Sequence, residues 1–138
     1  WTIGVGAMEP ATALSAFDAS FAQGLMEALA LLAADAEAVL LVAYDSHASG
    51  PLAAVSKSAG LLGGALVLAR EPRAGAPRLS AVLENGSAVA AGGALHAHSA
   101  GNAMAQMLPL FDALAANEST VRLHAGPGQR LRLLLDWN

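Results

Sequence analysis

Residues 14–45, LSAFDASFAQGLMEALALLAADAEAVLLVAYD, decide the fold, because a turn, an amphipathic helix and a strand follow one another within them. Apolar residues recur after Asp18 at helical spacing and predict one buried face, made of Phe21, Leu25, Ala28, Leu29 and Leu32. The Asp18 carboxylate stands where it can accept hydrogen bonds from the free amides of a helix start. We therefore predict a buried helix from about Asp18 to Ala34.

The strand that follows is apolar without interruption. Residues 39–43, VLLVA, show no polar alternation, which is typical of a strand covered on both faces. A second apolar run, 61–69, is predicted to be its neighbour, and both are predicted to be central strands. Gly63 and Gly64 in that run indicate a bulge or a close backbone approach. Helix, short loop and buried strand in this order predict an α/β layer structure.

The remaining elements are predicted from turn residues and periodicity. Residues 102–116 predict a helix with Asn102 near its cap, which Pro109 either kinks or divides in two. The other predictions are a short strand at 12–15, a loop at 45–58, an edge strand at 78–84, an irregular stretch at 87–101 and a hairpin of strands 120–124 and 130–136. We expect one domain over residues 1–138.

Composition narrows the classes of function. The chain is 55% hydrophobic and only 13% charged, against roughly a quarter charged in ordinary domains, so we expect a face hidden against a partner. The net charge of −4 and the scattered basic residues argue against nucleic acid. Zero cysteines exclude a thiol nucleophile and Cys-ligated zinc. The uncharged stretch 85–111 contains too many polar residues and glycines for a membrane span.

Few residues suggest a catalytic or metal site. His96 and His98 would point the same way in a strand, but no third ligand lies near them in sequence, so no metal site is predicted. The glycine-rich segments match no nucleotide-binding pattern, so no cofactor is predicted. Asp18, Glu27 and Asp45 would form a carboxylate set only if the fold brought them together.

Three segments carry a family resemblance. DASFAQGL (18–25) with VLLVAYD (39–45), GALVL (64–68) and LPLFDALA (108–115) resemble the β-ketoacyl synthase-like N-terminal domain family, in its short, chain-length-factor-like branch. Residues 1–6, WTIGVG, are similar to a W-S-I-A-x-G segment that lies well inside this domain, so we expect an N-terminal part to be missing. The resemblance implies a thiolase-like half-domain with a mixed sheet, a buried helix and covering helices.

The resemblance also implies a function. In ketosynthases an elbow at the start of the buried helix holds the cysteine nucleophile, and the corresponding residues here are Ser15, Ala16, Phe17 and Asp18. We therefore expect a non-catalytic, cytoplasmic, dimeric subunit that accompanies an active β-ketoacyl synthase and an acyl carrier protein in bacterial polyene or fatty-acid-like biosynthesis. Two alternatives remain: an acyl-transferring or decarboxylating enzyme that uses water or a serine such as Ser15 or Ser20, and a structural homodimer without acyl chemistry.

Overall fold

A computed structural model describes residues 4–6, 8–56, 58–87 and 93–137. Along these residues the helices and strands are α1 (Ser20–Ala34), β1 (Ala38–Ser46), β2 (Leu61–Ala69), β3 (Arg78–Asn85), α2 (Ala94–His98), α3 (Leu108–Ala116), β4 (Thr120–Gly126) and β5 (Gln129–Asp136). Short 3₁₀ turns lie at Phe17–Ala19, Gly50–Ala54 and Ala103–Met107.

The strands form two separate antiparallel sheets. β1 pairs with β2, with Val42 opposite Ala65, and β5 lies between β3 and β4 in the second sheet. The predicted α/β class is confirmed, and the architecture is consistent with a thiolase-like half-domain. The sheet differs in form from the prediction, because the described strands pair only antiparallel and belong to two small sheets instead of one mixed sheet.

The helical segments lie between the two sheets. α1 contacts β1 and β2 on one side and β4 on the other, and the 3₁₀ turn before α3 contacts the same three strands. The core therefore fills the space between the inner sheet faces. Its fully buried large side chains are Leu25, Met107, Leu110, Leu123, Leu131 and Leu133. One face of each sheet is left without a covering layer among the described residues.

α1 is buried on one face, as its periodicity predicts. Phe21, Ala22, Leu25 and Ala28 are buried, whereas Leu31 near the end of the helix is 40% exposed. Two features fix the helix between the layers. The Gln23 amide donates a 2.8 Å hydrogen bond to the Ala125 carbonyl of β4, and a Cβ on Gly24 would lie 3.3 Å from the Leu41 side chain of β1.

The prediction that β1 and β2 are central strands covered on both faces is wrong. They are neighbours, but among the described strands each pairs only with the other, so both are edges. Their burial alternates along the chain: Leu41 and Ala43 face the core, whereas Leu40 and Val42 are more than half exposed. Periodicity failed here because the outward positions are apolar although no described residue covers them.

The surroundings of Gly63 and Gly64 in β2 decide between the predicted bulge and the predicted close backbone approach. A Cβ on Gly64 would lie 3.0 Å from Met107 Cε and 3.0 Å from Phe111 Cζ, so the strand can approach these side chains only without one. The register of β1 and β2 continues through both glycines without a bulge. Gly64 is therefore a position of close approach.

Other predictions are partly corrected. Residues 12–15 form no strand, and the stretch 87–101 contains α2, although residues 88–92 lie outside the described part. Pro109 stands in the first turn of α3, where its missing N–H costs nothing, so it starts a second helix. The edge strand and the β4–β5 hairpin are confirmed. The motif at residues 1–6 lies partly outside the described residues, which begin at residue 4.

One run within the described residues, Phe17–Ala34, is long and apolar enough to cross a membrane by length and composition. Core helices pass the same test, and this run places Phe21, Leu25 and Ala28 in the core.

Candidate functional site

The elbow before α1 is closed by a serine hydroxyl. Ser20 Oγ accepts a 2.8 Å hydrogen bond from the Ala16 amide and donates a 2.6 Å bond to the Phe17 carbonyl. The Ala19 amide donates to the Ala16 carbonyl across the same turn. We predicted this capping role for Asp18, and that prediction is wrong, because no side-chain cap from Asp18 is present and Asp18 is exposed.

The backbone at the centre of the elbow is strained. Phe17 has φ of +50°, in the left-handed region that costs a side-chain-bearing residue about 1–2 kcal/mol. Its ring is 69% exposed, so burial of the ring within the described residues does not offset that cost. Strained single residues of this kind concentrate at functional sites. The elbow therefore places a strained residue with an exposed aromatic ring immediately before the core helix.

An open groove lies beside the elbow. Asp18 lines it together with His47, Ser58, Asn102 and Gln106. The groove thus brings the end of the elbow to the loop after β1 and to the 3₁₀ turn before α3. Of the four predicted elbow residues, Asp18 lines this groove, whereas Ser15, Ala16 and Phe17 are not among its lining residues.

A buried polar cluster forms one wall of the groove. Ser58 Oγ donates a 2.5 Å hydrogen bond to Asp45 Oδ2, and Asp45 Oδ1 accepts from the Ser46 amide at 2.8 Å. The Asn102 amide nitrogen donates to the carbonyls of Ala59 and Asp45, and its oxygen accepts from the Met104 amide. Ser58 and Asn102 are only 5% and 3% exposed, so the cluster ties the edge of the first sheet to the helical layer.

The sequence did not identify this cluster. Asn102 was assigned only a capping role, which the bond to the Met104 amide confirms, and Ser58 was placed in a loop without a function. Asp45 bonds to Ser58 and forms no set with Asp18 and Glu27. Among the described residues, no group of three or more His, Cys, Asp or Glu could hold a metal ion. The sequence carries no signal for this cluster, because the burial of Asn102 and its bonds to distant residues depend on the fold.

The histidines do not form a site within the described part of the chain. His96 and His98 lie in α2, where residues two apart point to different sides, so the strand geometry considered for a metal pair is absent. His98 lines a small pocket with Ser99 and Asn102, whereas His47 lies in the groove. His124 lies on β4, in the other sheet.

The described residues offer no paired nucleophile and base. No serine hydroxyl among them donates a hydrogen bond to an imidazole: Ser20 bonds to a carbonyl, and Ser58 bonds to a carboxylate. A serine needs an adjacent base to attack a thioester. The sequence contains no cysteine that could replace it.

Comparison with family models identifies a family for this chain. The family model for the beta-ketoacyl synthase N-terminal domain matches residues 1–130. The chain belongs to this family. The match includes the elbow, α1, both strands of the first sheet and the helical segments between the sheets. Searches of curated proteins and of solved structures gave no match.

The resemblance predicts which residues would correspond to the nucleophile-bearing elbow of ketosynthases. They are Ser15, Ala16, Phe17 and Asp18, and this correspondence stays a prediction. A thiolate at a helix start is stabilised by the helix dipole, but a phenylalanine ring at the strained position can neither ionise nor attack. The described elbow thus offers a strained turn without a thiol, since the sequence contains no cysteine.

Proposed function

We propose that this chain is a non-catalytic, chain-length-factor-like partner of an active β-ketoacyl synthase, working with an acyl carrier protein in bacterial polyene or fatty-acid-like biosynthesis. The observation that carries the proposal is the elbow: a strained turn before a core helix, in a ketosynthase family member, with Phe17 at its centre and no cysteine in the chain. No cofactor is part of the proposal, and its site of action is the cytoplasm.

A second observation supports a partner subunit. The outer face of β1 and β2 is apolar and exposed, with exposed fractions of 56% for Leu40, 55% for Val42, 73% for Tyr44, 80% for Leu61 and 66% for Val67. Contiguous apolar surface of this kind marks interfaces in proteins. Polar side chains would serve a permanently solvated sheet face better, so the composition favours a face that is covered in an assembly.

The occupant that we propose for this face is the active ketosynthase subunit. Thiolase-like half-domains pack against one another, and a subunit without a cysteine can take part in thiol-based acyl transfer only beside a subunit that has one. A stable interface buries at least ~1,000 Å² in total. We call the exposed Leu40, Val42, Tyr44, Leu61 and Val67 side chains the apolar face.

The absence of catalysis is tested by intact-mass spectrometry. The purified chain is incubated with acyl- and malonyl-carrier thioesters, and an active ketosynthase serves as the positive control. We expect no acyl adduct on the chain, because Ser20 is engaged in the elbow and Ser15 has no hydrogen-bonded base among the described residues.

A stable adduct would contradict the proposal in favour of a serine enzyme. The variants Ser15→Ala and Ser20→Ala would then locate it, since only the variant at the acylated residue loses the added mass. A chain that forms a tight homodimer and ignores ketosynthase and carrier protein would instead favour the structural homodimer.

A further inference from the structure

The second sheet presents a cluster of arginines on its outer face. Arg130 and Arg132 lie two residues apart on β5, so they point to the same side, and Arg122 of β4 lies directly opposite Arg132. Backbone positions opposite each other, or two apart along a strand, are roughly 5–7 Å from one another. We call Arg122, Arg130 and Arg132 the arginine patch.

One carboxylate organises two of these guanidinium groups. Glu84 of β3 accepts from Arg130 Nε at 3.1 Å and from Arg132 Nε at 2.5 Å, with one carboxylate oxygen for each. The terminal Nη groups of both arginines take part in no hydrogen bond within the described residues, so their donors remain available. Gly86 packs beside the Arg130 guanidinium, where a Cβ would lie 3.4 Å from Cζ.

Arg122 has no acidic partner among the described residues, and it is exposed. Like charges directly opposite each other in a sheet are destabilising, so the Arg122–Arg132 pair costs the fold stability. Arg122, Arg130 and Arg132 stand against the Glu84 carboxylate, and Arg78 lies opposite Asp136 further along the same outer face. The arginines on this face therefore exceed the carboxylates by two, although the whole chain carries −4. The fold thus maintains a local charge opposite to its overall charge.

The surroundings of the patch indicate the class of partner. It lies on an open sheet face instead of in a cavity, which disfavours a small-molecule ligand. Val82 and Leu134 are 44% and 39% exposed beside it, and arginines next to apolar side chains are typical of protein interfaces. Three phosphate-binding charges would give only weak binding to nucleic acid.

We propose that the arginine patch docks a carboxylate-rich protein surface, such as an acidic helix, through the free Nη donors of Arg130 and Arg132 and through Arg122. Guanidinium forks bind carboxylates in defined geometry, and Glu84 holds two of them ready from the opposite side. The proposal is independent of the ketosynthase partner, because it concerns the other sheet and an occupant of different chemistry.

The test uses a fluorescein-labelled helical peptide of about 20 residues with glutamates at i, i+4 spacing, which is long enough to form a helix. Anisotropy titrations at about 50 mM salt compare the unmodified chain with Arg122→Glu and Arg73→Glu. Arg73 is an exposed arginine outside the sheets, so the second variant changes the total charge equally.

We expect Arg122→Glu to weaken peptide binding about fivefold or more and Arg73→Glu to change it less than about twofold. A peptide with glutamine in place of glutamate should not bind. Equal losses in the two variants, no binding by the unmodified chain, or tighter binding of a labelled DNA duplex of the same charge would each overturn the proposal.

Discussion

The two sheets have similar inner faces and opposite outer faces. Both inner faces bury leucines against the same helical layer, with Leu131 and Leu133 from one sheet and the partly buried Leu41 from the other. The outer face of β3, β4 and β5 bears charged groups, whereas the apolar face of β1 and β2 bears none. A solvated sheet face needs polar groups, so the composition of the second outer face suits contact with water and that of the first does not.

The largest expected effect separates the inner from the outer face of β5. Leu133→Ala removes a side chain with no exposed surface and should lower the free energy of unfolding by about 2–5 kcal/mol. The adjacent Leu134 is 39% exposed, so Leu134→Ala should cost less than about 1 kcal/mol. Urea unfolding measures both, and equal costs would contradict the assignment of the two faces.

The corresponding test on β2 inserts a side chain instead of removing one. Gly64→Val places new atoms against Met107 and Phe111 and should cost about 1–3 kcal/mol through overpacking. Ala65→Val adds two methyl groups on the exposed side, next to Val42, and should stay within about 0.5 kcal/mol. A tolerated Gly64→Val would show that the helical layer does not pack closely on this sheet.

Acid should weaken the charged sheet through Glu84. The Arg132 hydrogen bond, together with Arg130, lowers the pKa of Glu84 below its usual 4.5. The ionised carboxylate therefore contributes stability that is present above pH 4.5 and is lost as the pH falls through the lowered pKa of the folded state.

Glu84→Gln should consequently be less stable than the unmodified chain at neutral pH, and the difference should shrink in acid. Glu27→Gln, on the exposed side of α1, controls for loss of one carboxylate. Chemical unfolding at a series of pH values measures the difference. A gap that stays constant down to pH 3 would contradict the role of Glu84.

The smallest expected effect is a gain in stability. Arg122→Gln removes the like-charge contact with Arg132 and should raise the free energy of unfolding by about 0.2–1 kcal/mol. Arg73→Gln should leave it within about 0.5 kcal/mol of the original value. A loss of stability in Arg122→Gln would mean that this arginine supports the fold.

Local sequence signals predicted much of the fold. The period of α1 identified its buried face, and the turn between β4 and β5 identified the hairpin. The glycine pair indicated either a bulge or a close approach, and the structure shows the close approach at Gly64. The prediction that β1 and β2 are covered on both faces was wrong, because an uninterrupted apolar run can have more than one cause. The uninterrupted apolar run of β1 is the same whether a strand is covered by its own chain or by another molecule.

The site was less predictable than the fold. The missing nucleophile was visible in the sequence, because it depends only on residue identity. Ser20 as the group that closes the elbow, the positive φ of Phe17, and the bond between Ser58 and Asp45 were not predicted. Each depends on backbone geometry or on a contact between distant residues, which periodicity does not encode.

The most direct test of the central claim compares one substitution on the two outer faces. Val42→Glu and Val82→Glu place the same charge on exposed valines of the first and second sheet, which are 55% and 44% exposed. Light scattering across micromolar dilution, with the chain alone and mixed with an active β-ketoacyl synthase, reports the assembly. We predict a stable complex for the unmodified chain and for Val82→Glu, and a complex weakened at least tenfold, about 1.4 kcal/mol, for Val42→Glu. A folded unmodified chain that stays monomeric with the ketosynthase, or a complex indifferent to Val42→Glu, would contradict the account.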